Sequence, residues 1–167
     1  MKPDFSFYNT LKYKIALSLS IAIFFYIFIV FFLPFGVDNY NPNHEYTAEF
    51  LLEIFKFLLL LLPVSLFNEV VLRPLVFKEP SLKKIILWSV WTLLLLSSTV
   101  FLSYNILGNW HDFKLESYLG FLVQVSAVLI FPIVGVFFFY SYRSLLNEKT
   151  QRVTTINYTV DQSLLVN

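Results

Sequence analysis

Residues 15–33 read IALSLSIAIFFYIFIVFFL, nineteen residues without a charge, followed by Pro34-Phe35-Gly36. At ~1.5 Å of rise per residue, such a helix covers the ~30 Å hydrocarbon core of a bilayer. Lys12 and Lys14 precede the run, as they would in a signal peptide. The run is longer than a typical h-region, however, and no small-x-small cleavage site follows it. It reads as a retained transmembrane helix.

Working outward, three further apolar stretches repeat the signal, at about 50–71, 85–107 and 119–142. The expected fold class is therefore an all-α membrane protein, a bundle of four transmembrane helices. Composition agrees. Hydrophobic residues make up 57% of the chain and charged residues 14%, against roughly 45–50% and 25% in soluble domains. That excess rules out an ordinary soluble domain. Without cysteine, the chain has no disulfide, thiolate metal site or cysteine nucleophile. A net charge of +1 argues against a strong nucleic-acid surface.

The second span is irregular. Its uninterrupted apolar run, 57–67, is too short to cross, so the helix must take Glu53 and Lys56 into its outer half. Pro63 removes a backbone donor at its centre, where a kink is expected. The third span carries Ser89, Thr92, Ser97, Ser98, Thr99 and Ser103. The fourth carries Gln124, Pro132 and Gly135.

Lys and Arg set the orientation. Lys2, Lys12, Lys14, Arg73, Lys78, Lys83, Lys84, Arg143, Lys149 and Arg152 fall on one side of the spans, and only Lys114 on the other. By the positive-inside rule both termini are cytoplasmic. The expected organisation is a cytoplasmic segment 1–14, a membrane domain 15–142 and a cytoplasmic tail 143–167. Tyr40, Tyr46 and Trp110 would lie at the outer interface, with Tyr13, Trp88, Trp91, Tyr140 and Tyr142 at the inner one. Residues 153–166 are rich in Val, Ile, Thr and Tyr, which predicts strand in the tail.

Few residues suggest chemistry. Glu49, Glu53 and Lys56 share one helix face by their spacing. They read either as an outer turn in which Lys56 reaches the surface and pairs with Glu53, or as the lining of an outward-open pocket. His44-Glu45 and His111-Asp112 occupy the two outer loops without a metal-binding spacing, and read as solvated loop residues. Ala16 and Ser20, like Ser18 and Ala22, are small residues four apart, a packing face that is either internal to the bundle or a homodimer contact.

Asn68, Glu69 and Arg73 close the second span, with Pro74 expected to stop the helix and Glu69–Arg73 to form an interfacial ion pair. The stretch 68–73 resembles the Glu-Glu-x-x-x-Arg motif of the intramembrane prenyl-protease-like family. Asn68 replaces the first Glu, and that family's histidines on later membrane helices have no counterpart. Water activation then has no machinery, and no catalytic set assembles in one compartment. The residues give no cofactor and no metal site.

Three features together resemble the N-terminal membrane region of four-helix LytTR-family transcriptional regulators from bacteria. They are Leu33-Pro34-Phe35-Gly36 after the first span, Leu72-Arg73-Pro74-Leu75-Val76-Phe77 after the second, and a third span opening on Trp88 and Trp91 before a Pro-containing fourth. The resemblance covers residues 10–150. It implies a bacterial inner-membrane anchor or sensor whose partner is the lipid bilayer. DNA would be reached only through a cytoplasmic domain outside this chain. The competing expectation is a small non-catalytic membrane subunit, whose third-span hydroxyls hydrogen-bond another integral protein.

Overall fold

The structure, a computed structural model, describes residues 5–32, 46–77, 79–107 and 112–165. Expectations that fall on Lys2, on 33–45 with Tyr40 and His44-Glu45, on Lys78 and on 108–111 with Trp110 and His111 lie outside the described residues. A 3-10 turn, Ser6–Asn9, leads into α1, Leu11–Phe32. Helix α2 spans Ala48–Val76, α3 spans Leu82–Leu107, and α4 runs from Leu115 to Leu165. All four are long and apolar enough to cross a membrane.

Local chemistry sets the ends. The Thr47 hydroxyl accepts from the Phe50 amide and caps α2, with Glu49 in its first turn where the helix dipole favours an anion. Ser81 caps α3 through the Lys84 amide. Asp112 accepts from the Ser117 hydroxyl at 2.6 Å beside the start of α4.

The helices alternate in direction. Helix α1 packs on α2 and α4, and α3 packs on α2 and α4. Phe31 meets Tyr46 and Phe101 meets Tyr118 at one end of the bundle. At the other end, Tyr8 meets Arg73, Glu69 meets Trp88, and Tyr13 meets Tyr140. Ile21, Phe25, Ile29, Leu61, Leu96, Val125 and Leu129 fill the core between the two ends.

Two elements differ from expectation. The tail is helical through Leu165, and no strand occurs among the described residues. Helix α4 enters the tail already nucleated, so each added residue needs only propagation, and the local strand preference of 153–165 loses. Pro74 does not stop α2 either, and the helix continues to Val76. The chain accommodates it with a π turn, Asn68–Leu72, in which the Arg73 amide donates to the Asn68 carbonyl. A proline ring clashes with the carbonyl four residues before it, and a widened turn relieves that clash. Pro63, by contrast, lies exposed within unbroken helix, and Pro132 is buried within α4.

Candidate functional site

The π turn has a second effect, on which residues face inward. Leu61, Ser65 and Asn68 are buried at helical spacing, and the next inward place in an α-helix would be position 72. The extra residue in the turn hands that place to Arg73, leaving Leu72 partly exposed. Asn68, Glu69 and Arg73 are all fully buried.

They form one polar junction. Glu69 Oε2 lies 2.6 Å from Arg73 Nη1. Glu69 Oε1 accepts from Trp88 Nε1 at 2.9 Å, Asn68 Nδ2 at 3.0 Å and Thr92 Oγ1 at 3.3 Å. Asn68 also donates to Thr92 Oγ1 at 2.9 Å, and its own carbonyl accepts from Trp91 Nε1 at 3.1 Å. Arg73 Nη2 donates to the Tyr8 carbonyl. Its guanidinium carbon lies 4.0 Å from the centre of the Tyr8 ring and 5.4 Å from that of Tyr13. Arg73 Nε has no hydrogen-bond partner among the described residues. Taking two charges out of water costs several kcal/mol per ion, and only near-complete hydrogen bonding offsets it. Three donors on Glu69 Oε1 and the ion-pair contact on Oε2 supply part of that offset, and the stacked tyrosine faces add about 2 kcal/mol of cation–π attraction for Arg73.

An aromatic layer continues the junction to α4. Phe7 lies between Tyr13 on α1 and Phe137 and Tyr140 on α4, with centroid separations of 5.6, 5.9 and 6.2 Å. Phe5 reaches Phe137 at 6.1 Å. The N-terminal turn therefore joins the end of α2 to α4. Burial pushes the Tyr8 phenol up to about 12, with the positive charge of Arg73 acting the other way.

The expected Glu69–Arg73 ion pair forms, and it is fully buried within the bundle. Two expected interfacial aromatics, Tyr13 and Trp88, are buried in it, whereas Trp91 and Tyr142 remain largely exposed. Sequence reading missed Tyr8, Thr92 and the two tryptophans as partners. The available signal was a carboxylate and a guanidinium four apart, followed within twenty-odd residues by two indole donors and a hydroxyl.

Other candidates lie elsewhere. Glu49, Glu53 and Lys56 are exposed on the flank of α2, and no ion pair between Glu53 and Lys56 occurs among the described residues. Ser18 is buried and accepts from Ser65 across α1 and α2 at 3.1 Å, and Ala22 is buried on the same helix. Ala16 is half-buried. Ser20 lines an open groove between α1 and α4 with Pro132 and Gly135. The α3 hydroxyls are engaged within the chain. Ser97 pairs with Ser126 and Ser98 with Tyr118, while Ser89, Thr99 and Ser103 donate to carbonyls one turn back. Groups of three or more potential metal ligands do not occur among the described residues. Comparison with protein-family models, with curated proteins and with solved structures gives no match.

Proposed function

We propose that the chain is a non-catalytic anchor and sensor domain of the bacterial inner membrane, with both termini cytoplasmic, regulating a cytoplasmic transcription-regulating domain as the LytTR resemblance implies. One observation carries this reading. The N-terminal turn is held between Arg73 and the Phe137–Tyr140 segment, and α4 runs on from there as helix to Leu165. A rearrangement of the bundle that moves α2 against α4 would reach the tail through one continuous element. Such rigid elements transmit a two-state change without any chemistry at the site.

The test fuses a dimerisation-dependent reporter of DNA binding after Asn167 and compares the native chain with a variant lacking residues 5–10. Reporter output is expected to change several-fold while membrane insertion, read by fractionation, is retained. Equal output from two equally inserted proteins would sink the relay. In that event, stoichiometric recovery of another integral protein on purification would support the membrane-subunit reading.

A further inference from the structure

Helices α1 and α4 leave an open apolar groove of about 350 Å³ between them, with Ile23, Phe24 and Ile27 on one wall and Pro132, Gly135 and Val136 on the other. That volume reaches the lower end of small-ligand clefts, roughly 300–1,000 Å³. Gly135 is exposed, and a Cβ placed there would meet nothing within 4 Å. Packing within the chain therefore does not call for glycine, and the space beside it opens to the hydrocarbon of the bilayer.

Both walls lead to a cation. Phe24 meets Phe131 across the two helices, with ring centres 6.3 Å apart, which sets their antiparallel register. Twelve residues from that pair, towards the end of the bundle that holds Arg73, α1 reaches Lys12 and α4 reaches Arg143. The helices are still adjacent at this level, where the Tyr140 hydroxyl donates to the Lys12 carbonyl at 3.4 Å. Lys12, Ala16, Ser20 and Ile23 recur in steps of four and three along α1, as do Pro132, Val136, Phe139 and Arg143 along α4. Each cation therefore lies on the helix face that lines the groove. Lys12 and Arg143 are exposed, and neither joins an ion pair among the described residues. No carboxylate occurs on α1, nor on α4 between Glu116 and Glu148. From Lys12 to Ser20, as from Arg143 back to Gly135, the helix rises about 12 Å, within one half of the ~30 Å hydrocarbon core. A phosphate held at the cations would send an acyl chain of the same molecule down into the groove.

We infer that this face binds one anionic phospholipid, with its phosphate between Lys12 and Arg143 and one acyl chain in the groove. Charge complementarity selects the headgroup, because a zwitterionic lipid would bring a cation of its own to the pair. Another helix is a poorer occupant, since its approach would bury two cations that have no carboxylate to meet them. The inference goes beyond the proposed function and requires only that the chain crosses a bilayer.

Native mass spectrometry of the full-length chain, released from neutral-detergent micelles holding equal amounts of phosphatidylglycerol and phosphatidylcholine, counts the lipid retained. One phosphatidylglycerol per chain is expected, several-fold in excess over phosphatidylcholine. Lys12→Gln with Arg143→Gln should abolish that preference, whereas Lys83→Gln with Lys84→Gln, at exposed cations of α3, should leave it intact. Gly135→Leu places its side chain in the open space and should lower retention of both lipids several-fold. Lys12→Glu with Arg143→Glu should reverse the order of the two lipids, an outcome that misfolding cannot imitate. Equal retention of the two lipids by the native chain, an equal loss of preference in the Lys83 and Lys84 variant, or retention unmoved by Gly135→Leu would overturn the inference. Lipid retention reads the groove alone, so it and the reporter output can fail separately.

Discussion

Arg73 must place its donors where α2 offers little water, and its surroundings supply a carboxylate, a backbone carbonyl and two ring faces. Removing one member of such a pair leaves the other charged and buried, which typically costs about 3–5 kcal/mol. Glu69→Ala should therefore lower stability in detergent by about that amount, read as chemical unfolding followed by tryptophan fluorescence. Replacing both partners together, Glu69→Leu with Arg73→Leu, should cost clearly less than the sum of the single changes, because neither charge is stranded. A pH effect follows from Tyr8. Burial raises its phenol from 10.0 to about 12, so the fold favours the neutral ring. Its contribution to stability is intact below about pH 10 and declines as pH rises towards about 12. Tyr8→Phe should flatten that alkaline decline in thermal unfolding curves. The Glu69–Arg73 pairing was legible in the sequence but its burial was not, because the two residues four apart beside a proline look the same whether the pair faces lipid headgroups or Trp88. Distinguishing the two requires the one-residue phase shift of the π turn, which leaves no mark in composition.

Among the elements, α3 and α4 are joined by short polar contacts as well as by rings. Ser97 and Ser126 lie 2.9 Å apart, and Ser98 and Tyr118 2.8 Å apart. Interhelical hydrogen bonds in membranes average about 0.6 kcal/mol, and Ser97→Ala should cost about that much in reversible unfolding from mixed micelles. Gly120 is exposed, and a Cβ added to it would meet nothing within 4 Å. Gly120→Ala should accordingly be neutral or stabilise by up to about 1 kcal/mol in the same assay. The existence of the four helices was legible because a run long enough to cross a bilayer has few other readings. Their ends were less so. The uncharged run begins at Ile15, whereas α1 starts at Leu11 and takes in Lys12 and Lys14, because charged residues at a helix end do not interrupt its backbone bonds. In the tail, Val153, Thr154 and Ile156 favour strand only as an isolated segment, and the growing end of α4 outweighs that preference.

For the molecule as a whole, the alternation of the helices puts Ser6 and Thr150 near one end and Tyr46 and Asp112 near the other. Single cysteines at the first pair should react with an impermeant maleimide only in inverted vesicles, and at the second pair only in intact cells. Reaction of both pairs from one side would refute the four-pass arrangement. The basic residues made this orientation legible as an expectation, since they cluster in segments that an even number of crossings returns to one side. The tie between Tyr8 and Arg73 also imposes a schedule on synthesis. Sixty-five positions separate the carbonyl from the guanidinium that binds it, and a ribosome adds roughly 5–20 residues each second. For several seconds, then, the turn at residues 5–10 waits without the partner that will hold it. Trp88 and Thr92 emerge later still, so Glu69 and Arg73 arrive before the indole and hydroxyl that complete their setting. The nascent chain closes its N-terminal clasp only after the second span has been made.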